Sequence, residues 1–142
     1  MKIEFDIDKK DAHVLINALE FAASKALNLE SFEAIQKVIQ EIREDIKNGI
    51  VVFQELKKQL EPYTDKSPIL LSSNFRTQLG ISSIFISSNN GLIAVLNQIL
   101  KTFVALNKPS SSPDWIEKSK IDDAITIEDL VKLILNNYES SH

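Results

Sequence analysis

Cysteine is absent from this 142-residue chain, and glycine, proline, methionine and tryptophan are scarce, at three, four, one and one. Without cysteine there is no disulfide, no thiolate zinc site and no cysteine nucleophile, a composition that fits a reducing, cytoplasmic setting. Three glycines leave no Gly-x-Gly-x-x-Gly, Walker or Gly-x-Ser-x-Gly pattern, so neither a phosphate-cradling loop nor a nucleophile elbow is expected. Positive charge is in deficit too: 16 Lys and Arg stand against 20 Asp and Glu, for a net charge of −4. A protein that grips a phosphate backbone normally carries a basic patch, so nucleic acid is not an expected partner. The most apolar stretch, 92–106, contains Asn97, Gln98 and Lys101 and falls short of the about 20 apolar residues that a membrane span needs. The first residues, Met1 to Asp6, alternate and carry acids, unlike a signal peptide.

What the chain does have is a hydrophobic fraction of 44% and a charged fraction of 25%, both ordinary for a folded domain. The charge is unevenly spread. Residues 64–109 hold four basic side chains and a single acid, Asp65, between two acidic flanks. A single domain over 1–142 is expected, with a Pro/Ser-rich connector at 107–114 ahead of a C-terminal helical segment.

Local patterns give the fold class: mainly α with minor β, a helical bundle-like domain with a long second helix and one or two short strands. Ile3, Phe5 and Ile7 alternate with charged residues and predict a strand over 2–7. Asp8 or Asp11 then caps a helix running to about Leu27, with Leu15, Leu19, Ala22 and Ala26 on one stripe. The second helix is predicted to start at a Ser31 cap. Its stripe of Phe32, Ile35, Ile39, Ile42 and Ile46 continues in phase through Gly49 to Phe53, Leu56 and Leu60. Asn48-Gly49-Ile50 is also a helix-stop signal, so two readings compete. The kept phase favours one helix of about 30 residues, bent at Gly49 or straight, spanning roughly 45 Å.

Past Pro62 the signals weaken. Ser72-Ser73-Asn74 and Ser87 to Gly91 read as turns, and 81–86 reads as a second strand. Leu92 to Leu106 is a helix apolar on nearly all sides, its inward stripe running Leu92, Leu96, Ile99, Phe103, Leu106. Ser112-Pro113 suits a cap followed by proline in the first turn of a short helix, docked by Trp115 and Ile116. Thr126-Ile127-Glu128-Asp129 opens the last helix, with Leu130, Val131, Ile134 and Leu135 inward.

No catalytic, cofactor or metal residues emerge. His13 sits in a first helical turn, and Glu139-Ser140-Ser141-His142 has a Glu-x-x-His spacing without the second such motif a metal site needs, so it reads as a frayed tail. Asp6, Asp8 and Asp11 lack the glycine and distal glutamate of a calcium loop. Glu41, Glu44 and Asp45, like Asp122, Asp123, Glu128 and Asp129, read as solvated or helix-capping acids. The expectation is therefore a non-catalytic protein-interaction module: an adaptor, an inhibitor or immunity-type protein, or a complex subunit. The alternative is a small-molecule binder or sensor with a pocket between helices. The candidate interface is the stripe Phe32, Ile35, Ile39, Ile42, Ile46, Phe53, Leu56 and Leu60. Self-association as a homodimer, another protein, or both are the expected partners.

Overall fold

A computed structural model of the chain describes residues 29–66 and 68–142. The strand expected at 2–7, the helix to Leu27 and His13 lie outside the described residues. The described residues are mainly helical and contain no strand. The helices are α1 (Leu29–Leu60), α2 (Ser83–Ser87), α3 (Leu92–Asn107), α4 (Ser119–Asp122) and α5 (Ile127–Ser140), with a 3-10 turn at Glu61–Tyr63. The chain divides into two compact units, the first ending at Ile50 and the second running Val51–His142.

Helix α1 is continuous through Gly49, which is buried and has no left-handed φ. The unbroken apolar phase outweighs the local stop signal because each inward residue on either side of Gly49 gains burial only if the helical register is kept. In the first unit Ile39 and Ile42 are buried, with Ile35, Val38 and Ile46 packed against them. Lys57 and Lys58 in the last turn complement the carbonyl end of the helix dipole.

The second unit is built on α3 and α5, which pack against each other, with α2 against α3. Leu92, Leu96, Ile99, Leu100 and Phe103 of α3 and Ile127, Leu130, Val131 and Ile134 of α5 supply buried faces. Val52, Leu56 and Leu60 of α1 are also fully enclosed. Phe103 and Tyr138 rings meet at 4.5 Å, and the Lys108 ammonium lies 4.5 Å from the Tyr138 ring centre. That ammonium also donates to the carbonyls of Tyr138 at 2.7 Å and Ser141 at 3.3 Å, capping the end of α5.

The start of α5 is the best-satisfied helix end. Thr126 and Asp129 form a reciprocal capping box. The next free amides, of Ile127 and Glu128, donate to the carbonyls of Ser73 and Leu71, at 3.0 and 2.9 Å. Residues 71–75 thus run antiparallel to 125–128, although only Asn74 and Thr126 form a β-bridge. The Asn74 side chain accepts the amides of Arg76 and Thr77, both at 3.0 Å, and so turns the chain. Arg76 then donates through both terminal nitrogens to the carbonyls of Ala124 and Ile121. Its guanidinium carbon lies 4.5 Å from the Phe75 ring centre. The turn closes at Gly80, whose φ is +63°, with the Ile81 amide on the Phe75 carbonyl.

Three expectations are corrected. Residues 81–86 do not form a strand: the Ser82 hydroxyl accepts the Ile84 amide and starts the single turn of α2. Pro113 does not open a helix, Trp115 is 52% exposed, and only Ile116 is buried. The Asn97 side chain holds the Ile116 backbone in both directions, and no helix forms before α4. The C-terminus is not frayed in its backbone. Ser112 and His142 exchange both N–H···O bonds, and the Ser141 hydroxyl accepts the Asp114 amide at 2.9 Å.

Candidate interaction surface

The eight stripe residues of α1 have different fates. Ile39, Ile42, Leu56 and Leu60 are buried within the chain, at 1%, 5%, 0% and 0% exposure. Ile35, Ile46 and Phe53 are partly exposed, and the side chain of Phe32 lies outside those described. The buried four already have their cover within the chain, which leaves Ile35, Ile46 and Phe53 as the partly open positions of the stripe.

More open apolar surface lies one residue out of phase. Val51, Val52 and Glu55, at i, i+1 and i+4 of α1, face Ile99, Thr102, Phe103 and Leu106, at i, i+3, i+4 and i+7 of α3, across a groove of about 160 Å³. Val52, Ile99 and Phe103 are buried and form the floor. Val51 at 45% and Leu106 at 75% exposure stand on the rims. The wall is apolar except for Thr102 and Glu55, whose carboxylate accepts the Gln59 amide at 3.1 Å. Helical periodicity assigns Leu106 inward. The helix keeps its apolar stripe to the last turn, and the exposure of Leu106 there is the feature that sequence reasoning missed. Val51 was missed because it lies off the stripe.

A second depression, about 240 Å³, is lined by Lys57, Glu61, Thr64, Asp65, Lys66, Pro68 and Ile69. Its two lysines and two acids are balanced, and it opens at the carbonyl end of α1. An anion gains nothing from the dipole there.

Asp6, Asp8 and Asp11 lie outside the described residues, and the described acids singled out by sequence form no metal-holding group. Asp122 and Asp123 are exposed, as is Glu44. Asp129 is engaged in the capping box. Burial pushes its carboxyl up, but the amides of Ile125 and Thr126, the Thr126 hydroxyl and the charge of Lys132 outweigh that and hold it below its ordinary value. A lowered carboxyl is a fixed acceptor rather than a general acid. Among the described residues no group of three or more His, Asp or Glu side chains is placed to hold a metal ion. No helix among them is long and apolar enough to cross a membrane. Comparison of the chain with protein-family models, with curated proteins and with solved structures finds no match.

Proposed function

We propose that this chain is a non-catalytic protein-interaction module, an adaptor, inhibitor or complex subunit, whose partner lies along the groove between α1 and α3. The observation that carries the reading is the pair of large apolar side chains, Val51 and Leu106, held exposed above an apolar floor. Exposed aliphatic rims over a packed floor have the anatomy of a recognition site, because covering them removes water from both rims and floor at once. The small-molecule alternative is less well supported. Both depressions described are smaller than the roughly 300–1,000 Å³ typical of ligand pockets. Self-association through the long helix belongs to the same reading, with Ile35, Ile46 and Phe53 as its partly exposed positions. The net charge of −4 favours a protein partner over nucleic acid, and the absence of cysteine suits a cytoplasmic setting.

The test is a comparison of the full chain with its Leu106→Asp variant. Leu106 is solvent-facing, so the variant stays folded, and the acid in the last turn of α3 lowers its melting temperature by only a few degrees. The expected result is that affinity capture from the source cell's extract recovers a stoichiometric partner with wild type and not with the variant. Equal recovery with both, or a metabolite that raises the melting temperature of the wild type alone, overturns the reading.

A further inference from the structure

The segment between α3 and α4 is held chiefly by its backbone. No helix forms over 111–117, and alternate residues there use both their N–H and their C=O. Ser112 exchanges both bonds with His142. The Asp114 amide donates to the Ser141 hydroxyl at 2.9 Å, and its carbonyl accepts from the Asn137 side chain at 2.7 Å. The Ile116 amide donates to the Asn97 side chain at 2.8 Å, and its carbonyl accepts from the same side chain at 3.3 Å. A peptide bonded in this way at i, i+2 and i+4 is recognised along one edge, as in strand addition. Two of its side chains are also held. Ile116, at 4% exposure, is the single buried residue over 109–117, and the Asp114 carboxylate accepts the Ser140 hydroxyl. The groups that hold this strap are fixed without it. Asn97 and Asn137 stand on α3 and α5, which pack against each other. Ser141 is tied to α5 by its own hydroxyl, on the Asn137 carbonyl at 2.6 Å, and by its amide, on the Tyr138 carbonyl at 3.2 Å. The Lys108 ammonium holds the carbonyls of Tyr138 and Ser141 from outside the strap.

We infer that Ser112–Ile116 is the resident occupant of a peptide-binding site on α3 and α5, and that the site takes an extended segment of another protein in its place. The strap itself specifies the chemistry of that segment. It has an aliphatic residue, an acid two residues before it, and free backbone N–H groups at the aliphatic residue and at the second and fourth positions before it. The positions between make none of these bonds, and proline is accepted at one of them, Pro113. Release of the strap costs little for a folded segment. It exposes one large apolar side chain, and water replaces the hydrogen bonds of a backbone that already lies at the surface. None of the holding groups lines the groove between α1 and α3, so the two surfaces are separate.

The experiment is fluorescence anisotropy of a labelled synthetic peptide of residues 109–118, titrated with the full chain. Two variants loosen the strap: Ile116→Ser removes its anchor, and Asp114→Pro removes the amide that Ser141 accepts. The expected result is that each binds the peptide at least about tenfold more tightly than wild type, where the tethered strap competes at roughly millimolar effective concentration. Ile116→Asp in the peptide abolishes binding. Asn97→Ala, added to Ile116→Ser, weakens it at least about tenfold, because both bonds to the anchor residue are lost. Absence of binding to both loosened variants overturns the inference. So does binding no tighter than that of wild type, or binding unaffected by Ile116→Asp in the peptide. If neither variant folds by circular dichroism, the strap is an integral part of the fold and the inference falls. A wild-type dimer in sedimentation equilibrium that is lost in Ile116→Ser overturns it in favour of strap exchange between copies.

Discussion

Gly91 offers the sharpest test of how the second unit is assembled. A methyl group at Gly91 would sit 1.8 Å from the Phe85 carbonyl oxygen and 2.8 Å from its carbon, both backbone atoms. To reach ordinary contact at 3.4 Å, the oxygen must retreat by about 1.6 Å. That carbonyl belongs to α2, a single turn between the buried Ile86 and the Tyr63–Phe85 stack, so the retreat disturbs both. Overpacking of this kind costs about 1–3 kcal/mol, and losing the aromatic pair costs about 0.5–1.5 kcal/mol more. Against these, alanine restricts the unfolded chain and returns about 0.4–1 kcal/mol. Gly91→Ala is therefore expected to lose about 2–3 kcal/mol in urea unfolding followed by circular dichroism, or roughly 6–10 °C in melting temperature. Gly80→Ala is the internal control. Gly80 has φ +63° and nothing within 4 Å of the added carbon, so its cost is conformational alone, about 1 kcal/mol. A Gly91→Ala variant that melts within about 1 °C of wild type, or that costs no more than Gly80→Ala, refutes the close approach of α2 to the start of α3.

Asp129 contributes stability through its lowered carboxyl, so the contribution is fully present above the unfolded value near 3.8 and is lost as pH falls through the lower folded value. Wild type and Asp129→Asn should therefore differ in stability at pH 6, by less than about 1 kcal/mol because the group is largely solvated, and converge under strongly acid conditions. A difference that grows as pH falls contradicts the capping role. Arg76→Lys keeps the charge but loses the fork that reaches the Ile121 and Ala124 carbonyls, and should cost about 1–2 kcal/mol. Hydrogen exchange should then speed up around α4 before it does in α3, and unchanged exchange there refutes the clamp.

Where neighbours in sequence decide the structure, the residues alone are enough. The apolar period of α3, the capping box of Thr126 and Asp129, the inward set Leu130, Val131, Ile134 and Leu135, and the unbroken phase of α1 through Gly49 are all set by contacts within a few residues, or by a face that must turn inward. Residues 69–91 are different. The Leu71 and Ser73 carbonyls are satisfied by the amides of Glu128 and Ile127, and Arg76 by the carbonyls of Ile121 and Ala124, partners far off in the chain that no local pattern announces. The same is true of the connector at 107–114. It reads as a loose linker from Pro109 to Pro113, yet Lys108, Ser112 and Asp114 fasten it to the end of α5. Periodicity also tells which face of a helix is apolar but not how far the neighbouring cover extends. Leu106 lies on the α3 stripe with Phe103, and only the tertiary packing leaves the one exposed and encloses the other.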